Sequence, residues 1–228
     1  MPRQNPPTFR GLLREYRTFF IAMGLFLAVG AVILLWIDRG DAVLFFSRSR
    51  TALLNQFFIF VTGMGEELAF ILSFVALLFV SYRQAIAIPL MALGVTLVAF
   101  VTKTIFAHDR PYAYFRKIGL ADRISIVEGI EPHEGATSFP SGHTMAAFAL
   151  YAFLSFCLSE RHRGWGGAAF FSLAVLVGMS RIYLVQHFFK DIYLGAIFGL
   201  LIAMVFYVGQ YRVAKTPHRW LDDRVGNW

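Results

Sequence analysis

An all-α bundle crossing a membrane six times is the fold class this sequence predicts, and three observations carry the prediction. Hydrophobic residues make up 57% of the 228 and charged residues only 15%, against about 25% charged in a typical soluble domain. Mean hydropathy is +0.60. Six apolar stretches recur, most of them close to the 20 or so residues a helix needs to cross a hydrocarbon core of roughly 30 Å.

The first stretch, residues 18–37, is a full-length apolar run behind an Arg-dotted N-terminal segment. It lacks a small-residue cleavage site, so it reads as a retained helix rather than a removed signal peptide. Residues 38–67 are different: Ala42 to Phe46 and Leu53 to Phe58 flank Ser47-Arg48-Ser49-Arg50. That segment is too interrupted to span and too apolar for a solvated loop, which predicts an interfacial amphipathic helix, either shielding the bundle or guiding a lipid. Two further spans follow at 68–82, which is short, and 85–106, with Arg83 between them. Residues 107–139 exceed the length of an ordinary connector, and loops of that size are usually functional or mobile.

The fourth span, 144–158, is again short. The fifth and sixth, 165–181 and 188–211, are fused by hydropathy alone. A single helix over residues 165–210 would run to roughly 70 Å at 1.5 Å per residue, more than twice the bilayer core. The chain must therefore break at its one polar cluster, Ser180, Arg181, Gln186, His187, Lys190 and Asp191, which places that cluster at a membrane surface.

Six spans put both ends of the chain on one side. Eleven Lys and Arg fall on that side and ten on the other, and three of those ten, Lys103, Arg110 and Arg181, belong to the motifs discussed next. The remaining bias predicts cytoplasmic ends, with the motifs on the outer face of a bacterial inner membrane. Residues 1–228 read as a single domain whose ends, 1–17 and 212–228, are juxtamembrane, with Trp220 and Trp228 as interface anchors. The net charge of +7 suits anionic headgroups and a site, since no soluble basic domain exists to hold a nucleic acid. A single cysteine, Cys157, excludes an intramolecular disulfide and reads as a small buried hydrophobe.

Three short segments carry the chemistry: Lys103, six residues, then Arg110-Pro111; Pro140-Ser141-Gly142-His143; and Ser180-Arg181, five residues, His187, three residues, Asp191. Phosphoryl transfer needs fixed cations for the equatorial oxygens, with a nucleophile and an acid in line on opposite sides of phosphorus. Lys103, Arg110 and Arg181 supply cations, the guanidinium groups being suited to bidentate phosphate contact; each alone would read equally as a snorkelling residue at a span end. Ser141 and Gly142 precede a helical run, where close backbone approach and free N–H groups favour an anion, although Ser141 also suits a plain N-cap. His187 and Asp191, four apart, share one helix face if a helix begins near His187, and the carboxylate would then orient the imidazole.

Together these segments resemble the three-part signature of the type 2 phosphatidic acid phosphatase (PAP2) superfamily, which also includes vanadium haloperoxidases and bacterial acid phosphatases. The resemblance implies a metal-independent phosphatase without cofactor: His187 as nucleophile, Asp191 orienting it, His143 protonating the leaving oxygen, and Lys103, Arg110, Ser141, Gly142 and Arg181 holding the phosphate. Lys190 lies outside the signature. The implied partner is a membrane lipid phosphate, with undecaprenyl diphosphate favoured over phosphatidylglycerophosphate, phosphatidate or lipid A. A lipid phosphotransferase using the same site, or a non-catalytic lipid-binding or transport protein, is the alternative.

Overall fold

The computed structural model describes residues 7–213 and 219–226, and among them all regular structure is helical. Ten α-helices follow in order: α1 (Phe9–Glu15), α2 (Arg17–Trp36), α3 (Asp41–Arg48), α4 (Ala52–Gly63), α5 (Glu67–Leu78), α6 (Tyr82–Phe106), α7 (Pro111–Lys117), α8 (Gly142–Cys157), α9 (Arg163–Tyr183) and α10 (Phe189–Val213). Four segments, built on α2, α6, α9 and α10, are long and apolar enough to cross a membrane, and α4 with α5, bent by 52°, makes a fifth if the pair is one broken span.

The outward faces of the long helices explain the composition. Leu25, Val32, Leu35 and Trp36 on α2 and Leu93, Leu97 and Phe100 on α6 are largely exposed. Such a belt is unfavourable against water and natural against lipid, whereas the backbone is satisfied within each helix. The protein is a multi-pass membrane protein.

Helix α8 has the opposite character. Met145, Ala147, Phe148, Leu150, Ala152 and Phe153 are all buried to within about 1% exposure, so this 16-residue helix, apolar around its circumference, is the centre of the bundle. Helices α6, α9 and α10 pack around it. Two glycines let α10 come close: a Cβ at Gly195 would stand 2.8 Å from the Ser141 carbonyl oxygen, and one at Gly199 would meet the Met145 carbonyl and Phe148. This small-xxx-small pairing draws the start of α10 to the start of α8.

Segment 38–67 forms two helices, not the one predicted. The chain breaks at residues 49–51, where Arg50 Nη2 donates to the Tyr183 carbonyl at 2.7 Å and Thr51 Oγ1 accepts from the Leu54 N–H at 3.2 Å as the N-cap of α4. The break between α9 and α10 falls where the polar cluster predicts it, at residues 184–188.

The far end of the bundle is tied by polar contacts. Arg83, buried at the start of α6, holds Asp222 through two hydrogen bonds of 2.8 and 3.0 Å and the Gln210 carbonyl at 2.8 Å. Arg163 lies 3.5 Å from Glu15. Helix α1, the residues around Asp222 and the turns around Arg83 and Arg161 thus gather at one end, the grouping expected from the sequence. Trp220 is exposed; Trp228 lies outside the described residues. Cys157 is only half-buried, at the edge of the core.

Candidate active site

The opposite end of the bundle collects the last turn of α6, the loop before α7, the first turn of α8, the last turn of α9 and the start of α10. Each motif residue sits on one of these ends for a local reason. Lys103 is in the last turn of α6. Arg110 is the residue before α7, and Pro111 starts that helix with its φ already set. Arg110 N–H donates to the Gly135 carbonyl at 3.1 Å and Ser138 N–H to the His108 carbonyl at 2.9 Å, so the long loop closes on itself beside the site.

Ser141 caps α8. Its Oγ accepts from the Thr144 N–H at 3.3 Å and from the Thr144 hydroxyl at 2.9 Å. The capping expectation therefore holds, and with both contacts accepted the hydroxyl keeps its own hydrogen free to donate. Gly142 faces α6: a Cβ there would stand 3.7 Å from Lys103 Nζ. His143 follows in the first turn of α8 and is half-buried.

His187 lies in the turn before α10, fully buried, with Nδ1 3.5 Å from Asp191 Oδ2. Two backbone features place it. Val185, a β-branched residue, sits at φ 59 in the left-handed region, a conformation that costs of order 1–3 kcal/mol and persists only where the surroundings impose it. Beyond it the Gln186 and His187 N–H groups both return to the Arg181 carbonyl, at 2.8 and 3.1 Å. Asp191 Oδ2 also accepts from Ser138 Oγ at 2.5 Å and the Phe188 N–H at 2.9 Å, and the Ser141 N–H donates to the Asp191 carbonyl at 3.0 Å. The carboxylate is thus fixed from three directions, and with Nδ1 turned toward it, Nε2 is the free nitrogen. Burial, outweighing the opposing effect of Asp191, pushes the His187 imidazole down to about 4.

The three cations converge. Lys103 interacts electrostatically with Arg110 and Arg181, and all three, with His187, act on His143. Arg181 is buried; its Nη1 donates to Thr62 of α4 while its Nε has no protein partner. Arg110 Nη1 reaches Gln186 Oε1 at 3.2 Å, and its Nε reaches Thr137 at 3.3 Å. All eight residues singled out by sequence therefore gather at this end. Lys190 points elsewhere, to His108 Nδ1 at 3.2 Å.

Sequence reasoning missed Ser138, Gln186 and Thr62, which support Asp191, Arg110 and Arg181. Among the described residues no three His, Cys, Asp or Glu side chains group as metal ligands. From the site a groove of about 980 Å³ runs between α5 and α6, walled by apolar residues such as Phe70, Phe74 and Phe100 and ending at Lys103 and His143. One end of it is polar, with Lys103 and His143 beside Glu66 and Glu67, and the other is oily, a shape that accepts a polar headgroup carrying a lipid tail.

Comparison with known proteins gives the same answer. The PAP2 superfamily model matches residues 84–215, more than half of the chain. Phosphatidylglycerophosphatase B of Bacillus subtilis is 38% identical over 76 residues, 31% of this chain and 37% of that protein. The putative undecaprenyl-diphosphatase YbjG of Escherichia coli is 32% identical over 147 residues, 64% of this chain and 65% of that protein. The chain thus spans between 27% and 65% of the length of the curated relatives it matches. Among solved structures, LpxE of Aquifex aeolicus superposes with a TM-score of 0.61 at 25% identity, covering 74% of this chain and 93% of that one. A PAP2 type phosphatidylglycerolphosphate phosphatase from Bacillus subtilis gives 0.58 at 22% identity, covering 87% and 98%, a likeness of fold. The two histidines, their carboxylate and the three cations stand on a helical bundle shared with these solved structures and inside the stretch the family model matches, and the chain belongs to the PAP2 superfamily.

Proposed function

We propose that the chain hydrolyses a membrane lipid phosphate or diphosphate through a phosphohistidine on His187. The observation that carries this reading is the buried His187–Asp191 pair, 3.5 Å apart, beside Arg110 and Arg181 and a third cation, Lys103, that lines the end of an apolar groove. Nε2 of His187 attacks phosphorus while Lys103, Arg110, Arg181, Ser141 and the free N–H groups at Gly142 hold the equatorial oxygens. As the N–P bond forms and the P–O bond breaks, His143 gives a proton to the departing lipid oxygen. Water then attacks the phosphohistidine, His143 takes its proton, and inorganic phosphate leaves.

In this reading residues 1–228 form one domain with six crossings, the bent α4–α5 pair and the short α8 counting among them and α3 lying at the interface. The chain's ends face the cytoplasm and the site faces outward in a bacterial inner membrane. An outward-facing site suits recycling of a lipid carrier, which favours undecaprenyl diphosphate, and the likeness to YbjG supports it. Phosphate release from a panel of purified lipid phosphates and diphosphates tests the substrate. Hydrolysis is expected to continue in excess chelator, because protein cations occupy the role a metal plays elsewhere, and vanadate is expected to inhibit. Loss of activity in EDTA restored by Mg²⁺ would overturn the cation cradle.

The pH dependence follows from burial of His187. An unshifted histidine would lose its nucleophilic lone pair below about pH 6.5. With its pKa pushed down to about 4, His187 stays neutral and reactive above that value and is silenced as pH falls through it. The acid limb of kcat/KM, which reports the free enzyme, is expected near pH 4. A limb at pH 6 or above counts against a buried neutral His187 as nucleophile.

A further inference from the structure

One carboxylate outside the three motifs faces the site. The bend between α4 and α5 consists of Met64, Gly65 and Glu66, and it is clamped against α8 and α9. The Tyr151 hydroxyl donates to the Met64 carbonyl at 2.7 Å. A Cβ at Gly65 would meet Val177 at 2.5 Å and stand 3.5 Å from the His143 carbonyl oxygen, so the bend approaches this closely only because residue 65 has no side chain. Thr62 receives Arg181 from one side of the bend. On the other, Glu66 Oε1 stands 3.4 Å from His143 Nε2. A single bend therefore touches both a phosphate cation and the acid.

We infer that Glu66 is a positioning residue for the acid step: its carboxylate holds the proton on His143 Nε2 in the substrate-free site, and the leaving oxygen takes over that hydrogen bond when substrate enters. The inference rests on His143 being the general acid.

The charges around His143 explain why it needs such a partner. Burial, Arg181 of α9, His187 of the α9–α10 turn, Lys103 of α6 and Arg110 before α7 all act against a proton on its ring. Asp191 is turned to His187, and Glu67 lines the groove beyond Glu66. Glu66 brings a negative charge within 3.4 Å, and its side chain is half exposed to the groove through which a leaving group would depart. No proton needs to reach Glu66 itself. In the first step the Nε2 proton goes to the lipid oxygen; in the second His143 recovers one from the attacking water, ends charged, and returns to Glu66.

The test is the pH profile of kcat/KM for a lipid phosphate monoester, measured on purified full-length protein and its Glu66→Gln, Glu66→Asp and His143→Ala variants. The parent is expected to show a basic limb that His143→Ala lacks. Glu66→Gln, which keeps shape and an acceptor oxygen but no charge, should move that limb to lower pH by roughly one unit or more. Below the limb its rate should approach the parent's, and above it kcat should fall more than KM changes. Glu66→Asp should restore the limb in part. A uniform loss with an unmoved limb, or no change, overturns the inference and leaves Glu66 as a packing residue. A parent without a basic limb, or His143→Ala retaining it, defeats the acid assignment itself, and the role of Glu66 falls with it.

Discussion

Replacing His187 with alanine is expected to lower kcat by about 10⁵-fold or more on every substrate and to leave no phosphoenzyme. The size follows from the absence of a substitute nucleophile in the arrangement proposed. Ser141 caps α8 through the Thr144 N–H and hydroxyl and has no base placed to activate it. Asp191→Asn should cost up to about 10⁴-fold, the full loss following when the amide that replaces the orienting carboxylate turns its N–H to the imidazole. An amide N–H turned toward Nδ1 moves the imidazole proton to Nε2 and removes the attacking lone pair. Ser138 Oγ and the Phe188 N–H, at 2.5 and 2.9 Å from the same Oδ2 that faces Nδ1, oppose that orientation, and an amide that keeps its oxygen there still loses the negative charge that holds the Nδ1 proton. Quenching turnover without acid and finding an acid-labile, base-stable phosphate on His187 of the parent, absent from the alanine variant, checks the assignment. The label on Ser141 or His143 would refute it.

The residues proposed to do chemistry are legible because polar groups in an apolar chain stand out, and their spacing has few other uses. Lys103, Arg110 and Arg181 lie at the ends of apolar runs, and the i,i+4 relation of His187 and Asp191 is local enough to read from a helix start. The groups that hold them were not legible. Ser138 meets Asp191 across 53 positions, Gln186 meets Arg110 across 76 and Thr62 meets Arg181 across 119; each looks in sequence like any other polar residue near a span end. The fold shows the same division. Hydropathy found every long helix, and the length argument found the break at residues 184–188. It could not show that segment 38–67 divides at Thr51, because the division depends on Arg50 reaching the carbonyl of Tyr183, 133 positions away. Helix α8 reads in sequence as a short span, and its brevity goes with burial of most of its residues. Periodicity alone does not separate a lipid-facing helix from one surrounded by protein.

Replacing His143 with alanine should damage cleavage according to the leaving group, and this separates the two histidines by the step each serves. When His187 attacks a monoester, the departing lipid oxygen becomes an alkoxide unless a proton reaches it as the bond breaks. General acid help is worth about 10²- to 10⁴-fold, and a loss of that size is expected with a lipid phosphate monoester. A diphosphate expels a phosphate that already carries its charge comfortably, so the first step needs little from His143 and the loss should be much smaller. The second step is different. Water attacking the phosphohistidine still lacks its base, so the His143→Ala variant given a diphosphate should accumulate phosphoenzyme on His187, where the parent shows it only transiently. His143 is half-buried at the end of the groove, and truncating it leaves the Asp191 contacts to Ser138 and Phe188 untouched; the nucleophile should remain competent. Rapid-quench measurement of the phosphoenzyme beside steady-state release from both substrate types decides the matter. Equal losses on monoester and diphosphate, with no build-up of label, would mean that His143 binds phosphate and moves no proton.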